Sequence, residues 1–352
     1  MILENKVDAN IRCLALDNAD KEVIDGLVES TVENFTRNLL LIGCIVHESH
    51  DWKEIESTQI KHFKNACEQQ GVENYCLIVN DTYTQSVYKT ELMPVFAINF
   101  FALDCCYRIN YLDQKTNLSW NSKAKKPLLL TGKSEKINRI GLLALLKKEN
   151  LLDDVIYSFF PSRSNLKETE KIYNQFLSFP FRKFCKKYKT SPDNVEVSDT
   201  ENGSHYSGYP FDSDLYRNTL FSVISESNFE SGVIWITEKT YKTIANRHPF
   251  VMAGQPYALE YLRKLGFHTF EEFCYVKDYD RILDNKQRLE AVLLNIKNLN
   301  KELRKNKTKV QQYVEENYNT LNMLFYRELA QVQYFNNKDF FHSFFKLNRI
   351  MN

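Results

Sequence analysis

The fold is decided by the stretch from Ser222 to Phe270, which reads SVISESNFESGVIWITEKTYKTIANRHPFVMAGQPYALEYLRKLGFHTF. The apolar run at 220–224 predicts a buried strand that ends in a polar turn. Thr237 is a suitable N-cap for a helix over 238–246. A second strand and a second helix are predicted over 249–253 and 258–265. This alternation is typical of a parallel α/β unit, in which ligands bind at the carboxyl ends of the strands.

Charged side chains follow the first predicted strand and open the helix. Glu226 and Asn228 follow the strand, and Glu238, Lys239 and Lys242 lie in the first turns of the helix. A helix N-terminus favours phosphate, Lys adds a point charge, and a carboxylate can accept hydrogen bonds from a ribose diol. The other interpretation is that Glu238 and Lys242 form an ordinary surface pair, which stabilises a helix by about 0.2–0.5 kcal/mol.

The ordered set resembles the donor-binding half of fucosyltransferase-type glycosyltransferases, and more closely a set of related proteins seen in phages and large viruses. In that family a strand ending Phe-Glu-Asn-Ser is followed by Val-Thr-Glu-Lys-Leu at a helix start and then by a Pro-Val-Val strand. Here Glu226 matches the first carboxylate, 237–239 the Thr-Glu-Lys triplet, and 249–251 the last strand. Ser227 stands in place of the family's Asn. The resemblance covers roughly residues 127–273.

The resemblance implies an α/β fold with two Rossmann-like domains that face each other across a cleft (GT-B-like), with a C-terminal helical extension. The polar, lysine-rich interval at 117–126 marks the expected boundary. We therefore expect an acceptor-side domain over 1–122 and a donor-binding domain over 123–330. A last helix over 331–352 is expected to pack back on the first domain.

The resemblance also implies a donor-binding set. Arg139 follows the predicted strand at 127–131 and is expected to face phosphate, with Lys133 in the basic loop before it. The segment around Lys133 is not a P-loop, because the upstream glycine is missing. The complete expected donor-binding set is Lys133, Arg139, Glu226, Asn228, Thr237, Glu238, Lys239 and Lys242.

A general base is expected from the first domain. His47, Glu48 and Asp51 follow the strand predicted over 38–46 and are the candidates. A polar turn after a strand accounts for them equally well, and the sequence does not choose among the three.

The implied activity is transfer of a sugar from a nucleotide-sugar donor to an acceptor hydroxyl, on a surface glycan or a modified nucleobase. One alternative is a non-catalytic nucleotide- or glycan-binding protein on a transferase-like fold. Another is a scaffolding protein that works through its aromatic-basic stretch and Phe-rich tail. The oligomeric state is left open.

Composition narrows the location and the partners. The 352 residues carry a net charge of +1, which weighs against a duplex-DNA acceptor but leaves room for a local basic patch. The eight cysteines show no CxxC spacing, which favours a reducing cytoplasm without structural zinc. The opening residues do not resemble a signal peptide, and the apolar stretches are too short for a membrane span. We expect a cytoplasmic protein, in the host cytoplasm if it is viral.

Neither a metal nor another cofactor is expected. Two Asp-x-Asp sequences, at 212–214 and 278–280, fit a divalent-metal pattern. The pattern is so short that chance matches are expected among 45 acidic residues.

Four other segments are assigned from their patterns. Residues 1–35 are predicted to be helix-like, and 95–106 to be a strand followed by a turn. Residues 281–329 are predicted to form a long helix. Residues 166–188 are predicted to be helical, with interleaved aromatics and lysines that suit single-stranded nucleic acid or a membrane surface. A solvated lysine face is the simpler interpretation of that segment.

Overall fold

The computed structural model of the chain describes residues 10–16, 20–34, 39–45, 56–80, 92–93, 95–111, 116, 119–133, 136–160, 166–195, 213–230 and 234–331. The chain divides into two compact units. The first comprises Met1–Asp104, Thr200–Tyr206 and Phe325–Asn352, and the second comprises Cys105–Asp199 and Ser207–Leu324.

The predicted boundary after residue 122 therefore lies inside the second unit. A physical reason is that residues just beyond Asp104 already contact this unit. Cys106, for example, donates a hydrogen bond from Sγ to Leu321 O at 3.8 Å.

The described part of the first unit alternates strands and helices. Its elements are β1 (Asn10–Ala15), α1 (Lys21–Asn34), β2 (Leu39–Ile45), α2 (Lys61–Gln69), β3 (Asn74–Asn80), β4 (Val95–Ile98) and the start of α3 (Phe100–Tyr111). The strands pair in the order β1-β2-β3-β4, and all pairs are parallel. Leu14, Ile24, Leu41, Phe63 and Leu77 are among the side chains of its buried core.

Two predictions for this unit need correction. Residues 10–15 form a strand rather than part of a helix, because each of them pairs in register with β2. The segment 95–106 continues into α3 instead of a turn. Asn99 caps that helix by accepting a hydrogen bond from Ala102 N at 3.3 Å, and the apolar residues on either side of it do not by themselves distinguish strand from helix.

The described part of the second unit has the same alternation. Its elements are β5 (Leu128–Lys133), α4 (Leu142–Lys148), β6 (Ile156–Phe160), α5 (Leu166–Asn174), α6 (Phe181–Lys189), α7 (Ser213–Arg217), β7 (Ser222–Ser225), α8 (Glu238–Ala245), β8 (Phe250–Ala253), α9 (Ala258–Lys264), α10 (Asn285–Lys305) and, as far as Leu324, α11 (Lys307–Gln331). The parallel sheet has the order β6-β5-β7-β8. The strand-helix-strand-helix pattern predicted for 220–265 is confirmed.

Two predicted helices are each divided. The segment 166–188 forms α5 and α6, and Pro180 occupies the N-cap position of the second helix. The segment 281–329 forms α10 and α11 on either side of Asn306.

The carboxyl edge of the second sheet positions the candidate site. The chain leaves β7 and β8 side by side, and Glu226 N donates to Ala253 O at 3.1 Å. A short helical turn over Ile137–Gly141 follows β5 at the same edge. Three connections therefore meet where ligands bind in parallel α/β sheets.

Two further expectations concern the C-terminal helix and membrane-spanning segments. The C-terminal helix expected over 331–352 falls, apart from the last residue of α11, outside the described residues. No helix among the described residues is both long and apolar enough to cross a bilayer.

Candidate functional site

The centre of the site is the buried carboxylate of Glu226, which directly follows β7. Its side chain is fully buried and accepts hydrogen bonds from Ser227 N and Thr237 N, both at 3.2 Å. The hydroxyl groups of Thr237 and Thr240 also donate to it, the first at 2.6 Å. Burial raises the pKa of Glu226, against the opposing effects of the Lys239 charge and the two threonine hydroxyls. The carboxylate thus fixes the start of α8 to the end of β7.

The sequence predicted Glu226 as a donor-binding residue, and its contact with a donor stays a prediction. In the structure, its carboxylate also holds the start of α8 against the end of β7, a role that the motif did not reveal. The two threonines of the sequence Thr-Glu-Lys-Thr were the available signal, since hydroxyls placed three residues apart at a helix start can share one acceptor.

The predicted N-cap at Thr237 is confirmed. Its backbone is extended and its Oγ1 accepts a bond from Lys239 N at 3.5 Å, while the same hydroxyl donates to Glu226. Such a cap satisfies one of the free N–H groups of the first turn. The connection that holds α8 in place is therefore built from Thr237 and Glu226 together.

Replacing Thr237 with Val should lower the free energy of unfolding by about 1–2 kcal/mol, because the isosteric side chain neither caps α8 nor donates to the buried carboxylate. Urea denaturation measures the loss. The matched control is Thr243→Val in the same helix, whose hydroxyl donates only to Lys239 O at 2.9 Å. Removal of that local bond should cost about 0.5 kcal/mol or less. Equal losses in the two variants would contradict the capping role.

The first turn of α8 carries a shielded ion pair. Lys239 Nζ lies 2.7 Å from Glu238 Oε1, and their side chains are only 11% and 13% exposed. Burial alone would raise the pKa of Glu238, but the charges of Lys239 and Lys242 outweigh it, so the pKa is lowered. Glu238 is therefore a carboxylate at neutral pH.

Lys239 makes two further hydrogen bonds. Its Nζ donates to Ser227 Oγ at 3.1 Å and to Thr237 Oγ1 at 3.4 Å. Ser227 occupies the position where the resembling family has Asn, and its hydroxyl supplies the oxygen that this lysine contacts. The serine at this position therefore still provides a polar contact for Lys239.

Lys242 is buried, with 2% of its surface exposed. The interpretation of Glu238 and Lys242 as a solvated surface pair is therefore wrong, because the lysine lies between α8 and the sheet. A small pocket open to solvent, with an empty volume of about 320 Å³, is lined by Lys239, Lys242, Thr243, Tyr216, Ser225 and apolar side chains of β5 and β7. Ser225 Oγ in its wall has no hydrogen-bond partner among the described residues.

The connection after β5 reaches the same loop. Lys136 Nζ donates to Ser227 O, and Asn138 Nδ2 donates to Glu226 O at 2.7 Å and to Ala253 O at 3.2 Å. The sequence did not single out Lys136 or Asn138, because such backbone contacts have no motif. Lys136 and Lys239 thus meet at Ser227 although about a hundred residues separate them.

The remaining predicted site residues lie partly within and partly outside the described residues. Arg139 lies beside Asn138 and is 7% exposed, and its convergence with Lys239 stays a prediction. Asn228 is partly buried in the loop after β7, and Lys133 is the last residue of β5. The side chain of Lys133 and the candidate bases His47, Glu48 and Asp51 lie outside the described residues.

The Asp-x-Asp sequence at 278–280 has a structural use. Asp280 accepts hydrogen bonds from Leu259 N at 3.1 Å and Glu260 N at 3.2 Å, which caps α9. In the Asp-x-Asp sequence at 212–214, Asp214 forms an ion pair with Arg217 at 2.9 Å. Within the described ranges, no group of three His, Cys, Asp or Glu side chains could hold a metal ion.

The arrangement is a parallel α/β unit with cations and carboxylates at the carboxyl edge of its sheet. Two solved structures are similar to the chain. A UDP-forming α,α-trehalose-phosphate synthase from Burkholderia xenovorans shares 10% identity with a TM-score of 0.41, and the match covers 89% of this chain and 78% of that chain. An α,α-trehalose 6-phosphate synthase from Burkholderia multivorans shares 10% identity with a TM-score of 0.40, covering 89% and 74%.

Similarity at this level of identity and TM-score establishes neither an activity nor a substrate. No protein-family model matches the chain, and no curated protein matches it either.

Proposed function

We propose that the protein is a glycosyltransferase that uses a nucleotide-sugar donor, bound by the second unit at the start of α8. The observation that carries the proposal is the convergence of Lys136, Lys239 and Glu238 around Ser227 at the carboxyl edge of a parallel sheet. A diphosphate needs cations and free N–H groups, and a ribose diol needs an acceptor. This edge supplies both kinds of group.

In the proposed reaction the acceptor hydroxyl attacks the anomeric carbon of the donor sugar, and the bond from that carbon to the diphosphate oxygen breaks. The nucleoside diphosphate leaves with the bonding electron pair. Fixed positive charge from Lys239, Lys136 and Arg139 would stabilise the leaving group, as preorganised charge does at phosphoryl oxygens. A base accepts the hydroxyl proton, and His47, Glu48 and Asp51 remain the candidates.

We further propose that Glu238 holds the ribose. Its Oε1 is engaged by Lys239 at 2.7 Å, but an ionised carboxylate has about four acceptor sites. Glu238 can therefore bind a diol without releasing the lysine. The fucosyltransferase-like and viral character, the metal independence and the choice between a glycan and a modified nucleobase as acceptor belong to the same proposal.

Replacing Glu238 with Gln should weaken binding of a nucleotide-sugar about 10- to 100-fold, because a hydrogen bond to a charged group contributes about 1.5–3 kcal/mol. Isothermal titration measures the change. Glu260→Gln is the matched control, since Glu260 occupies the first turn of the neighbouring helix α9 and should leave donor affinity unchanged. Unchanged or tighter binding in Glu238→Gln would remove this residue from the donor site.

One observation favours a second candidate, a non-catalytic nucleotide- or glycan-binding protein. The three hydrogen bonds that Lys239 makes to Glu238, Ser227 and Thr237 use all three donors of its ammonium group. A phosphate must displace at least one of these hydrogen bonds before Lys239 can bind it. That exchange reduces the stabilisation that Lys239 can give to a leaving group. Release of nucleoside diphosphate from a bound donor separates the candidates, because a binding protein releases none.

A further inference from the structure

Helix α6 presents a cationic surface that the proposed donor site does not use. We define the basic face as Arg182, Lys183, Lys186, Lys187 and Lys189 of α6 together with Lys147 and Lys148 at the end of α4. All of these side chains are at least partly exposed, and none forms an ion pair with a described residue. Two acidic residues lie beside the face: Glu170 of the adjacent α5, whose charge acts on Cys185, and Glu149, whose pKa the charge of Lys148 helps to lower.

The aromatic residues of α6 itself are not available to a partner, whereas Phe179, two residues before the helix, is partly exposed. Phe181, Phe184 and Tyr188 are at most 4% exposed and pack with Tyr173 at centroid distances of 4.9 to 5.2 Å for the two phenylalanines. Bases of a single strand therefore have no ring of α6 to stack on, and the described side chains of α6 offer a membrane no apolar face. Recognition by the basic face must rest on charge.

The stability of α6 does not explain the placement of its cations. Lys186, Lys187 and Lys189 in the last turn do interact favourably with the helix dipole. Arg182 and Lys183 lie in the first turn, where positive charge is unfavourable and where α6 itself has no acidic residue.

Like charges are also brought together. Lys183 and Lys187 are four residues apart on one helix, as are Arg182 and Lys186, and such pairs are destabilising. Lys147 and Lys187 also make favourable cation–π contacts with Tyr188, at 5.5 and 5.1 Å from the ring centroid. The repulsion within the two like-charged helical pairs is relieved when a polyanion binds.

The cations form two rows along α6. Lys183 and Lys187 make one row, and Arg182, Lys186 and Lys189 make the other, about 100° away around the helix. A helix with its side chains is about 10–12 Å across, and the major groove of B-form DNA is about 12 Å wide. Two rows of long cationic side chains can reach the two phosphate backbones that border such a groove.

We propose that the basic face binds the phosphate backbones of duplex DNA without reading base sequence. The inference is independent of the donor site and holds whichever acceptor the protein uses. It also reconciles the near-neutral net charge of the chain with a nucleic-acid partner, because the charge is local.

Fluorescence anisotropy with a labelled duplex of mixed sequence tests the proposal without any sugar donor. Between about 50 and 200 mM salt, the slope of log K against log salt should be roughly −4 to −5 if the five α6 cations contact phosphate. The triple variant Lys183→Gln, Lys186→Gln, Lys187→Gln should make the slope shallower by about 3. The control triple Lys286→Gln, Lys301→Gln, Lys305→Gln removes the same charge from exposed positions of α10 and should leave the slope unchanged.

Melting curves accompany both triples, and the double variant Arg182→Gln, Lys189→Gln provides a second test should the first triple fold poorly. That double should make the slope shallower by about 2. Absence of binding at low salt, or equal losses in the basic-face and control triples, overturns the proposal. Tighter binding to a single strand of equal length, or to anionic vesicles, overturns the assignment to duplex DNA.

Discussion

Replacing Arg288 with Met is expected to lower the free energy of unfolding by about 3–5 kcal/mol. The guanidinium group is 1% exposed and donates to four backbone carbonyls and to Asn285 Oδ1. Burial lowers its pKa to about 10, so the group is still charged at neutral pH. Methionine fills the volume but leaves the carbonyls without donors, and each buried group that loses its partner costs about 1–3 kcal/mol.

The carbonyls that Arg288 holds include Phe229 O, after β7, and Gly254 O, after β8. The variant should therefore also loosen the loops at the edge of the candidate site. Urea denaturation measures the stability loss. Arg281→Met is the control, because that side chain is 58% exposed and should change stability by about 0.5 kcal/mol or less. A loss of less than about 1 kcal/mol in Arg288→Met would refute the anchoring role.

Stability should also depend on pH through His248. The ring is buried between Ser222, whose Oγ lies 2.8 Å from Nδ1, and Thr219, whose O lies 2.9 Å from Nε2. Burial lowers the pKa of His248 from 6.5 to about 4, against a smaller opposing effect of the bond to Thr219. The unfolded chain therefore binds a proton between these two values that the folded chain does not bind.

Because the unfolded state takes up that proton first, the contribution of His248 to stability falls as the pH is lowered from 6.5 to about 4 and changes little below this range. The expected contribution of His248 is about 3 kcal/mol. Denaturation curves at several pH values should show a flatter profile for His248→Gln, whose amide retains one donor and one acceptor. Identical profiles for wild type and His248→Gln would contradict this account.

The strand-helix pattern of the second unit could be predicted from sequence where a residue typical of a helix start or a helix end was present. Thr237 marks the start of α8, and Gly266 follows α9 with a positive φ of 96°, which glycine adopts without strain. The switch from β4 to α3 was missed because the apolar residues on either side of Asn99 do not distinguish strand from helix, although Asn99 is itself a favoured N-cap residue. β1 was missed because its identity depends on pairing with β2, which is a tertiary property.

Some residues of the candidate site could likewise be predicted from the sequence, and others could not. The motif pointed to Glu238 and Lys239 through residue order alone, and both lie at the carboxyl edge of the sheet. Lys136 and Arg288 could not be found, because each acts through backbone carbonyls remote in sequence. The burial of Lys242 was also unforeseen, since helical spacing allows both an exposed and an inward position.

The most direct test of the central claim compares a nucleoside diphosphate with the monophosphate of the same nucleoside by isothermal titration, for each common nucleoside. The account predicts that one diphosphate binds at least about 10-fold more tightly than its monophosphate, since a charged hydrogen bond to phosphate contributes about 1.5–3 kcal/mol. It also predicts that Lys239→Met removes this preference while the monophosphate still binds. Equal affinity for diphosphate and monophosphate across all nucleosides, or no binding of either, would contradict a nucleotide-sugar site at the start of α8.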